Sequence, residues 1–290
     1  MLSPVGIWSE VEVAVPGPAV RLPGVSMAGF SQRGTASWDI DMVAHPSVTL
    51  LLDLSEGDGA IYDNRGRRRQ GSVAIGLLPG DLRAAGWARV ECLQIRLEPT
   101  RAAAVLGVSA DLSGEVVSMH DVWGRGSGRL EDMLRAAGSW DQRFRIAAET
   151  LAPRLFDRAA VDPEVVHAWR RTLTSRGRVR VDGLADTVGW SRKRLWSRFR
   201  AQLGITPKRA ARLVRFDHAA HLLAAGHDVA RVASESGYVD QSHLHREVKE
   251  FAGLTPTGVA AAPWLAIDDL AWPAPPGGAI SRRSPGGRRS

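Results

Sequence analysis

A duplicated segment near the C-terminal end restricts the fold of this chain more than any other feature. Residues 184–190 read LADTVGW and residues 232–238 read VASESGY, so each has an apolar residue and alanine followed by glycine and an aromatic residue. The match continues to a shared ending, GITP at residues 204–207 and GLTP at residues 253–256. The sequence therefore predicts one supersecondary unit that occurs twice.

Each copy of the repeat predicts two short helices joined by a tight turn. In the first copy, a helix begins near Asp182, and Gly189 supplies the positive φ that ends it. Ser191 is placed to cap the second helix. Leu195 and Phe199 lie one turn apart on that second helix and must point inward.

In the second copy Asp228 is the expected cap of the first helix, although it does not match Asp182 in position. Gly237 ends that helix, and Asp240 caps the second helix, on which Leu244 and Val248 point inward.

The outward side of each second helix is predicted to be polar and basic. It carries Arg192, Lys193, Trp196, Ser197 and Arg200 in the first copy, and Gln241, Ser242, His245, Arg246 and Lys249 in the second. Arg, Lys, Gln, Ser and His side chains hydrogen-bond base edges and phosphates, and a helix-turn-helix places its second helix in the DNA major groove. For Trp196, a partly buried packing position is the alternative.

A long helix is predicted between the two copies. It begins at Thr206-Pro207 and ends before Gly226, and at 1.5 Å per residue it spans roughly 28 Å. One turn of DNA measures roughly 34 Å, so two units on one rigid helix can enter successive major grooves. Residues 192–215 contain nine basic residues and no acidic one, which indicates a phosphate-contacting surface. The candidates for phosphate contact are Arg200, Lys208, Arg209, Arg212 and Lys249.

Charge is distributed unevenly along the 290 residues. Residues 1–164 contain 17 basic and 21 acidic side chains, whereas residues 165–262 contain 17 basic and only 8 acidic ones. The part with the duplication is therefore expected to bind a polyanion. The single cysteine, Cys92, excludes an internal disulfide and a multi-cysteine metal site. His218 and His221 lack an evident further ligand, so neither a metal nor a cofactor is expected.

The N-terminal half is predicted to be rich in β-strands. Candidate strands cover residues 7–15, 24–32, 48–54, 73–78 and 89–97, with turn clusters between them. In the last strand the alternation places Glu91, Leu93, Ile95 and Leu97 on one face and Val90, Cys92, Gln94 and Arg96 on the other. Short strands spaced in this way indicate a sandwich or a small barrel. Candidate pocket aromatics, for which core packing is the commoner use, are Trp8, Phe30, Trp38, Trp87 and Trp123.

Helices are predicted after these strands, at residues 101–106, 127–137 and 139–156. Ser127 and Ser139 are the expected N-caps, and Pro153 is expected to kink or shorten the third helix. Asp162-Pro163 is a strong start signal for another helix. The expected fold class is α+β: a β-rich domain at 1–125, a helical connector at 126–160, an all-α double helix-turn-helix domain at 161–262, and a disordered tail at 263–290.

Residues 165–262 resemble the DNA-binding domain of the AraC/XylS family of bacterial transcription regulators. The resemblance is carried by Leu184-Ala185, Gly189-Trp190-Ser191, Leu195, Phe199-Arg200, Gly204, Thr206-Pro207, Ala233, Gly237-Tyr238, Leu244, Gly253 and Thr255-Pro256. It implies that the base-facing residues are Arg192, Lys193, Trp196 and Ser197 with Gln241, Ser242, His245 and Arg246. The chain departs from the family at Val248, where Phe is usual. In this family the N-terminal domain is often a cupin-like barrel that senses an effector or dimerises, which implies the same role for the β-rich half.

The predicted function is sequence-specific regulation of transcription, without enzymatic activity. The expected partners are double-stranded DNA, RNA polymerase and a small-molecule effector, and the protein acts as a monomer or a homodimer. No secretory signal and no apolar run of roughly 20 residues is visible, so no membrane association and a cytoplasmic, nucleoid-associated location are expected. Two alternatives are an enzyme in the β-rich half with a DNA-binding appendage, and a protein that coats DNA regardless of sequence.

Overall fold

The computed structural model describes residues 11–32, 37–57, 59–78, 80–86, 90–107, 112–156 and 161–262, together with residues 265, 268, 271 and 272. The first part of the chain forms strands and the second part forms helices, as the α+β prediction requires. The strands are β1 Val11–Ala14, β2 Val25–Gln32, β3 Trp38–Met42, β4 Val48–Asp53, β5 Ile61–Asn64, β6 Arg67–Gln70, β7 Val73–Ile75, β8 Leu82–Gly86, β9 Val90–Leu97 and β10 Val116–Ser118.

The strands form two antiparallel sheets that pack face to face. One sheet has the order β1-β2-β9-β4-β7-β10 and the other has the order β3-β8-β5-β6. Between them lies an apolar cluster to which one sheet contributes Leu51 and Ile75 and the other contributes Trp38 and Tyr62. The structure therefore confirms the predicted sandwich or barrel class for the β-rich region.

Five of the strands were not predicted from the sequence: β3, β5, β6, β8 and β10. They are three to five residues long, and β6 reads RRRQ, so neither length nor apolar alternation identifies them. The hairpin between β5 and β6 turns through Arg65 and Gly66, whose φ angles of 54° and 80° fit the mirror-image turn that suits twisted strands.

The central strand β9 is covered on both faces, and its alternation was predicted correctly. Leu93, Ile95 and Leu97 are fully buried in the core that the sheet shares with the helices. Cys92 and Arg96 face the opposite way, into a cavity between the two sheets. Burial raises the pKa of the Cys92 thiol far above its usual range, so the thiol stays protonated.

The helices are α1 Pro99–Leu106, α2 Met119–Trp123, α3 Arg125–Ala136, α4 Trp140–Phe156, α5 Pro163–Thr174, α6 Val181–Thr187, α7 Arg192–Leu203, α8 Pro207–Ala224, α9 Val229–Glu235, α10 Gln241–Ala252 and α11 Pro256–Ala260. Helix α1 follows β9 and contacts α4, α5 and α7. One cluster of buried apolar residues therefore runs from Leu50 and Ile95 in the sheet to Trp169 on α5 and Phe199 on α7. None of the helices in the described parts of the chain is long and apolar enough to cross a membrane.

One local prediction in the connecting helices is wrong, while Ser139 does accept the capping hydrogen bond of Gln142. Helix α3 begins at Arg125, so Ser127 is not its cap, and the Ser127 hydroxyl donates to the carbonyl of Gly124 instead. Helix α4 continues through Pro153 to Phe156, the last residue of the predicted range, so Pro153 does not shorten it. Helix α5 begins at Pro163 with Asp162 at its N-cap position, as predicted, but the Asp162 carboxylate pairs with Arg198 at 2.7 Å and makes no capping bond.

The expected disordered tail is also wrong at the positions that the structure describes beyond residue 262. Leu265, Asp268 and Ala271 are helical, and Leu265 and Ala271 are buried. The ring of Trp272 lies 4.2 Å from the guanidinium of Arg96 on β9. The remaining residues of the predicted tail lie outside the described residues, as do Trp8 and Trp87.

We expect Phe199→Ala to lower the free energy of unfolding by about 3–5 kcal/mol, because it removes a fully buried ring that packs against Trp169 at a centroid distance of 6.4 Å. Urea titration followed by circular dichroism measures this loss. Phe156→Ala is the matched control, since Phe156 is 83% exposed and its removal should leave the unfolding midpoint almost unchanged. Equal effects of the two substitutions would contradict the packing assigned to α7.

Candidate nucleic-acid interface

The two duplicated units each contain a capped second helix, α7 or α10, that follows a tight turn. Gly189 and Gly237 adopt the predicted positive φ, at 66° and 75°. The Ser191 hydroxyl accepts a bond from the backbone of Arg194, and the Asp240 carboxylate accepts one from the backbone of His243. These caps satisfy N–H groups that a helix start otherwise leaves without a partner. The starts of both helices are therefore fixed as the sequence predicted.

All eight candidate base-facing residues are exposed. On α7 these are Arg192, Lys193, Trp196 and Ser197, and on α10 these are Gln241, Ser242, His245 and Arg246. Trp196 is 45% exposed and lies beneath the guanidinium of Arg200, so it is partly covered by its own helix, and its contact with bases stays a prediction. The four residues on α10 line one shallow groove.

The inward positions of α10 are fully buried. Leu244 and Val248 are 0% exposed, and Phe251 packs against Phe216 of α8 with ring centroids 5.2 Å apart. Val248 occupies a core position although it is smaller than the residue usual in the resembling family. Valine is therefore fully enclosed at this core position of the second unit.

A buried carboxylate, Glu247, joins α10 to the rest of the second unit. Glu247 is 1% exposed and accepts hydrogen bonds from Arg212 and Arg215 on α8, each at 2.9 Å. The hydroxyl of Tyr238, in the turn before α10, donates to it at 3.0 Å. The role of Glu247 could not be predicted from the sequence, because Glu on a polar helix gives no signal of burial.

The five candidate phosphate contacts divide into two groups. Arg200, Lys208, Arg209 and Lys249 are exposed. Arg212 is half-buried, and its guanidinium is held by Glu247 and Glu250. A phosphate contact by Arg212 would require it to leave these carboxylates.

A basic cleft runs between the two units. Its lining includes Arg178 and Arg180, which precede α6, together with Lys208 and Arg215 on α8. Sequence reasoning did not single out Arg178 and Arg180, although the segment RGRVR at residues 176–180 carries a basic residue at every second position. A cleft lined by one sign of charge attracts a polyanion.

Comparison with known families identifies this part of the chain. Residues 184–262 match a family described as a helix-turn-helix domain. They form an AraC-type helix-turn-helix domain. The chain is therefore a DNA-binding regulator of transcription.

Solved structures with related folds share little sequence with this chain. ToxT from Vibrio cholerae O395, bound to (E)-4-(8-methylnaphthalen-1-yl)but-3-enoic acid, is 9% identical over 83% of this chain and 99% of its own, with a TM-score of 0.48. The C-terminal domain of AraT, a response regulator from Geobacillus stearothermophilus, is 21% identical over 35% of this chain and 87% of its own, with a TM-score of 0.33. These likenesses fix neither a ligand nor a DNA site for this regulator. Comparison with curated proteins gives no significant match.

A cluster of charged residues joins the regulator's long helix α8 to the β-rich region. Asp268 accepts hydrogen bonds from both terminal nitrogens of Arg96, at 2.6 and 3.2 Å, and lies 2.9 Å from Nε2 of His221 on α8. Nδ1 of His221 lies 2.8 Å from the carbonyl oxygen of Asp217. Both ring nitrogens of His221 thus face acceptors, which favours the doubly protonated imidazolium.

The charges of this cluster follow from its geometry. Burial alone would lower the pKa of His221, but the hydrogen bond from His221 to Asp268 and the nearby Asp217 charge raise it to about 10. Burial opposes ionisation of Asp268, yet His221 and Arg96 hold its pKa well below the usual range. Burial, then the charge of Arg96, lowers the pKa of His45, so His45 is neutral. Within the described residues, no three or more His, Cys, Asp or Glu side chains are grouped to hold a metal.

We expect Glu247→Gln to lower the free energy of unfolding by on the order of 3 kcal/mol, because it leaves Arg212 and Arg215 without their shared counter-ion. Urea titration measures the change. Glu235→Gln is the matched control, since it removes an exposed pair with Arg231, and exposed pairs contribute little. Similar shifts in the two variants would refute the anchoring role of Glu247.

The stabilisation that His221 provides should depend on pH. Its folded pKa of about 10 lies above the ordinary value of 6.5, so its contribution is complete below about pH 6.5 and is lost as pH rises through 10. The loss of unfolding free energy in His221→Gln should therefore be largest near about pH 6 and small near about pH 10. Urea titrations of both proteins at the two pH values measure it, and a difference that does not change with pH would contradict the ion pair.

Proposed function

We propose that this regulator reads an asymmetric DNA site by placing α7 and α10 in two successive major grooves on one face of the duplex. The observation that carries the proposal is that two capped helices, each with four exposed candidate side chains, flank one rigid helix, α8. Helix α8 has 18 residues, so it spans about 27 Å. That length is comparable to the roughly 34 Å of one DNA turn.

The two recognition helices carry different chemistry. Helix α7 presents Arg192, Lys193 and Trp196, whereas α10 presents Gln241, His245 and Arg246, all as exposed side chains. Arg and Lys pair with guanine, and Gln pairs with adenine, through the major-groove edges of these bases. The two half-sites should therefore differ in sequence. A protein that coats DNA regardless of sequence needs only positive charge, so it would not require different side chains on α7 and α10.

Phosphate contacts fix the register of the protein on DNA. We assign this role to Arg200, Lys208, Arg209 and Lys249 and to the cleft residues Arg178 and Arg180, which lie between the two recognition helices. Arg212 and Arg215 also line the cleft, but they are paired with Glu247. Their part is to orient α10, and only a rearranged complex brings Arg212 to a phosphate.

The β-rich region is proposed to control this binding. It forms one domain at residues 1–125, followed by the helical connector at 126–160 and the DNA-binding domain at 161–262. A small-molecule effector binds the β-rich domain, the DNA-bound protein contacts RNA polymerase, and the protein works on the nucleoid in the cytoplasm without catalysing a reaction. A single chain holds both recognition helices, so a monomer suffices to bind and a homodimer would read two copies of the site.

Selection from random DNA distinguishes the proposed regulator from a coating protein and from an enzyme. Duplexes of random sequence are retained on the protein and sequenced. An asymmetric motif that spans two grooves supports the proposal. Retention without enrichment favours coating, and a failure to retain DNA leaves the enzyme alternative, in which the β-rich half carries the activity.

We expect Arg246→Ala to weaken binding to the selected site by about 1–3 kcal/mol and to relax the preference for one base pair, because a bidentate contact with guanine is lost. Titration of the selected duplex and of single-base variants measures both effects. Lys208→Ala is the comparison: it should weaken binding to all sequences alike and reduce the salt dependence of binding. If Arg246→Ala keeps the full preference among duplexes, its base-reading role is wrong.

A further inference from the structure

The segment that precedes α6 carries two arginines that no carboxylate neutralises. Residues 176–180 read RGRVR. Val179 packs against the apolar core, whereas Arg178 and Arg180 on either side of it are exposed. The ion pairs in the described parts of the chain include neither of these two guanidiniums. Both arginines are therefore available to a partner that carries negative charge.

Gly177 fixes this segment against the middle of α8. Its φ of 71° lies in the left-handed region that favours glycine, and a Cβ at this position would collide with the backbone of Ala211 and Arg215. The backbone N–H of Gly177 donates to the carbonyl of Thr172 at 2.9 Å. The two arginines are thus presented from a backbone that is held in one place.

The same segment lies between the starts of the two recognition helices. On one side it continues into α6, where Asp182 pairs with Arg192 at the start of α7, at 3.0 Å. On the other side, the aliphatic stem of Arg178 lies against Gly237, in the turn that precedes α10. A Cβ on Gly237 would stand 3.2 Å from Cδ of Arg178. The two arginines therefore occupy the space that separates α7 from α10.

The corresponding part of a DNA duplex is a minor groove, because a minor groove separates two successive major grooves on one face. Arginine in a minor groove is attracted by its negative potential, which is enhanced where A·T tracts make the groove narrow. The basic cleft that holds residues 178 and 180 also contains Lys208, and no acidic side chain lines it within the described residues. Nothing in the lining of the cleft therefore offsets this attraction.

We propose that Arg178 and Arg180 enter the minor groove between the two half-sites, so that the regulator also recognises the base pairs of this spacer. The inference rests on the placement of α7 and α10 proposed above and adds a third contact to it. Phosphates line both edges of the groove, so the same guanidiniums contact phosphates and enter between them. A guanidinium is more weakly hydrated than an ammonium, so it leaves water at lower cost.

Purine analogues in the spacer of the selected duplex separate minor-groove from major-groove recognition. Duplexes whose spacer contains A·T, inosine·C, G·C or 2,6-diaminopurine·T pairs are titrated with the full chain. G·C and 2,6-diaminopurine·T place an amino group in the minor groove, and the other two pairs do not. In the major groove, inosine·C matches G·C, and 2,6-diaminopurine·T matches A·T. The protein should bind the A·T and inosine·C duplexes alike, and the two amino-bearing duplexes about tenfold more weakly.

Two double variants show which side chains cause this tenfold difference. Arg178→Ala combined with Arg180→Ala should bind all four duplexes within about twofold of one another, while it keeps its preference among half-site sequences. Lys208→Ala combined with Arg209→Ala is the matched control, because it also removes two exposed positive charges. It should weaken binding to every duplex and keep the tenfold difference. Urea titration shows that both variants are folded.

Three outcomes would overturn the inference: affinities that follow the major-groove edge of the spacer, equal affinities for the four duplexes, or a tenfold difference that survives in the double arginine variant. Half-site substitutions in the same titrations test the placement of α7 and α10 separately. A preference confined to one half-site, with the spacer effect intact, would refute the reading of two major grooves and leave the minor-groove contact standing. Preferences in both half-sites without a spacer effect would do the reverse.

Discussion

The orientation of the second recognition helix depends on one buried charge. Removal of a carboxylate from water costs several kcal/mol unless other groups replace the lost hydration. Around Glu247 that replacement comes from Arg212 and Arg215 on α8 and from the Tyr238 hydroxyl. Because all of these groups must be in place together, α10 has one favourable position relative to α8. The direction in which Gln241 and Arg246 project follows from that position.

The scaffold of the DNA-binding domain could be predicted from the sequence because it depends on local rules. Caps at Ser191 and Asp240 and glycines with positive φ leave clear signals, and the structure confirms them. The hydrogen-bond partners of a side chain could not be predicted where a distant residue competes for it. Asp162 follows the rule for an N-cap, yet a guanidinium 36 positions further along the chain takes its carboxylate. The burial of Glu247 could not be predicted for the same reason, since the partners that make it possible lie on another helix.

In the β-rich region, the alternation of a strand was predicted correctly, but the surroundings of its two faces were not. The alternation of β9 was read correctly, but the sequence did not show that both faces are covered. Leu93 and Ile95 meet the helices, while Cys92 and Arg96 meet a cavity. The strands around this cavity, β3, β5 and β8, are too short and too mixed for periodicity to reveal. Composition also predicted disorder after residue 262, although Asp268 finds Arg96 172 positions earlier in the chain.

The two copies of the repeat differ in the ion pairs that hold their second helices. The residue of α7 that corresponds to Glu247 is Arg198, which pairs at the surface with Asp162 at the start of α5. Ionic contacts thus hold α10 to α8, whereas the ion pair of α7 is formed with the start of α5, which precedes the repeat. An exposed pair restrains much less than a buried network. Helix α7 therefore has more freedom than α10 to adjust its tilt. Natural DNA sites should accordingly vary more in sequence in the half that α7 contacts.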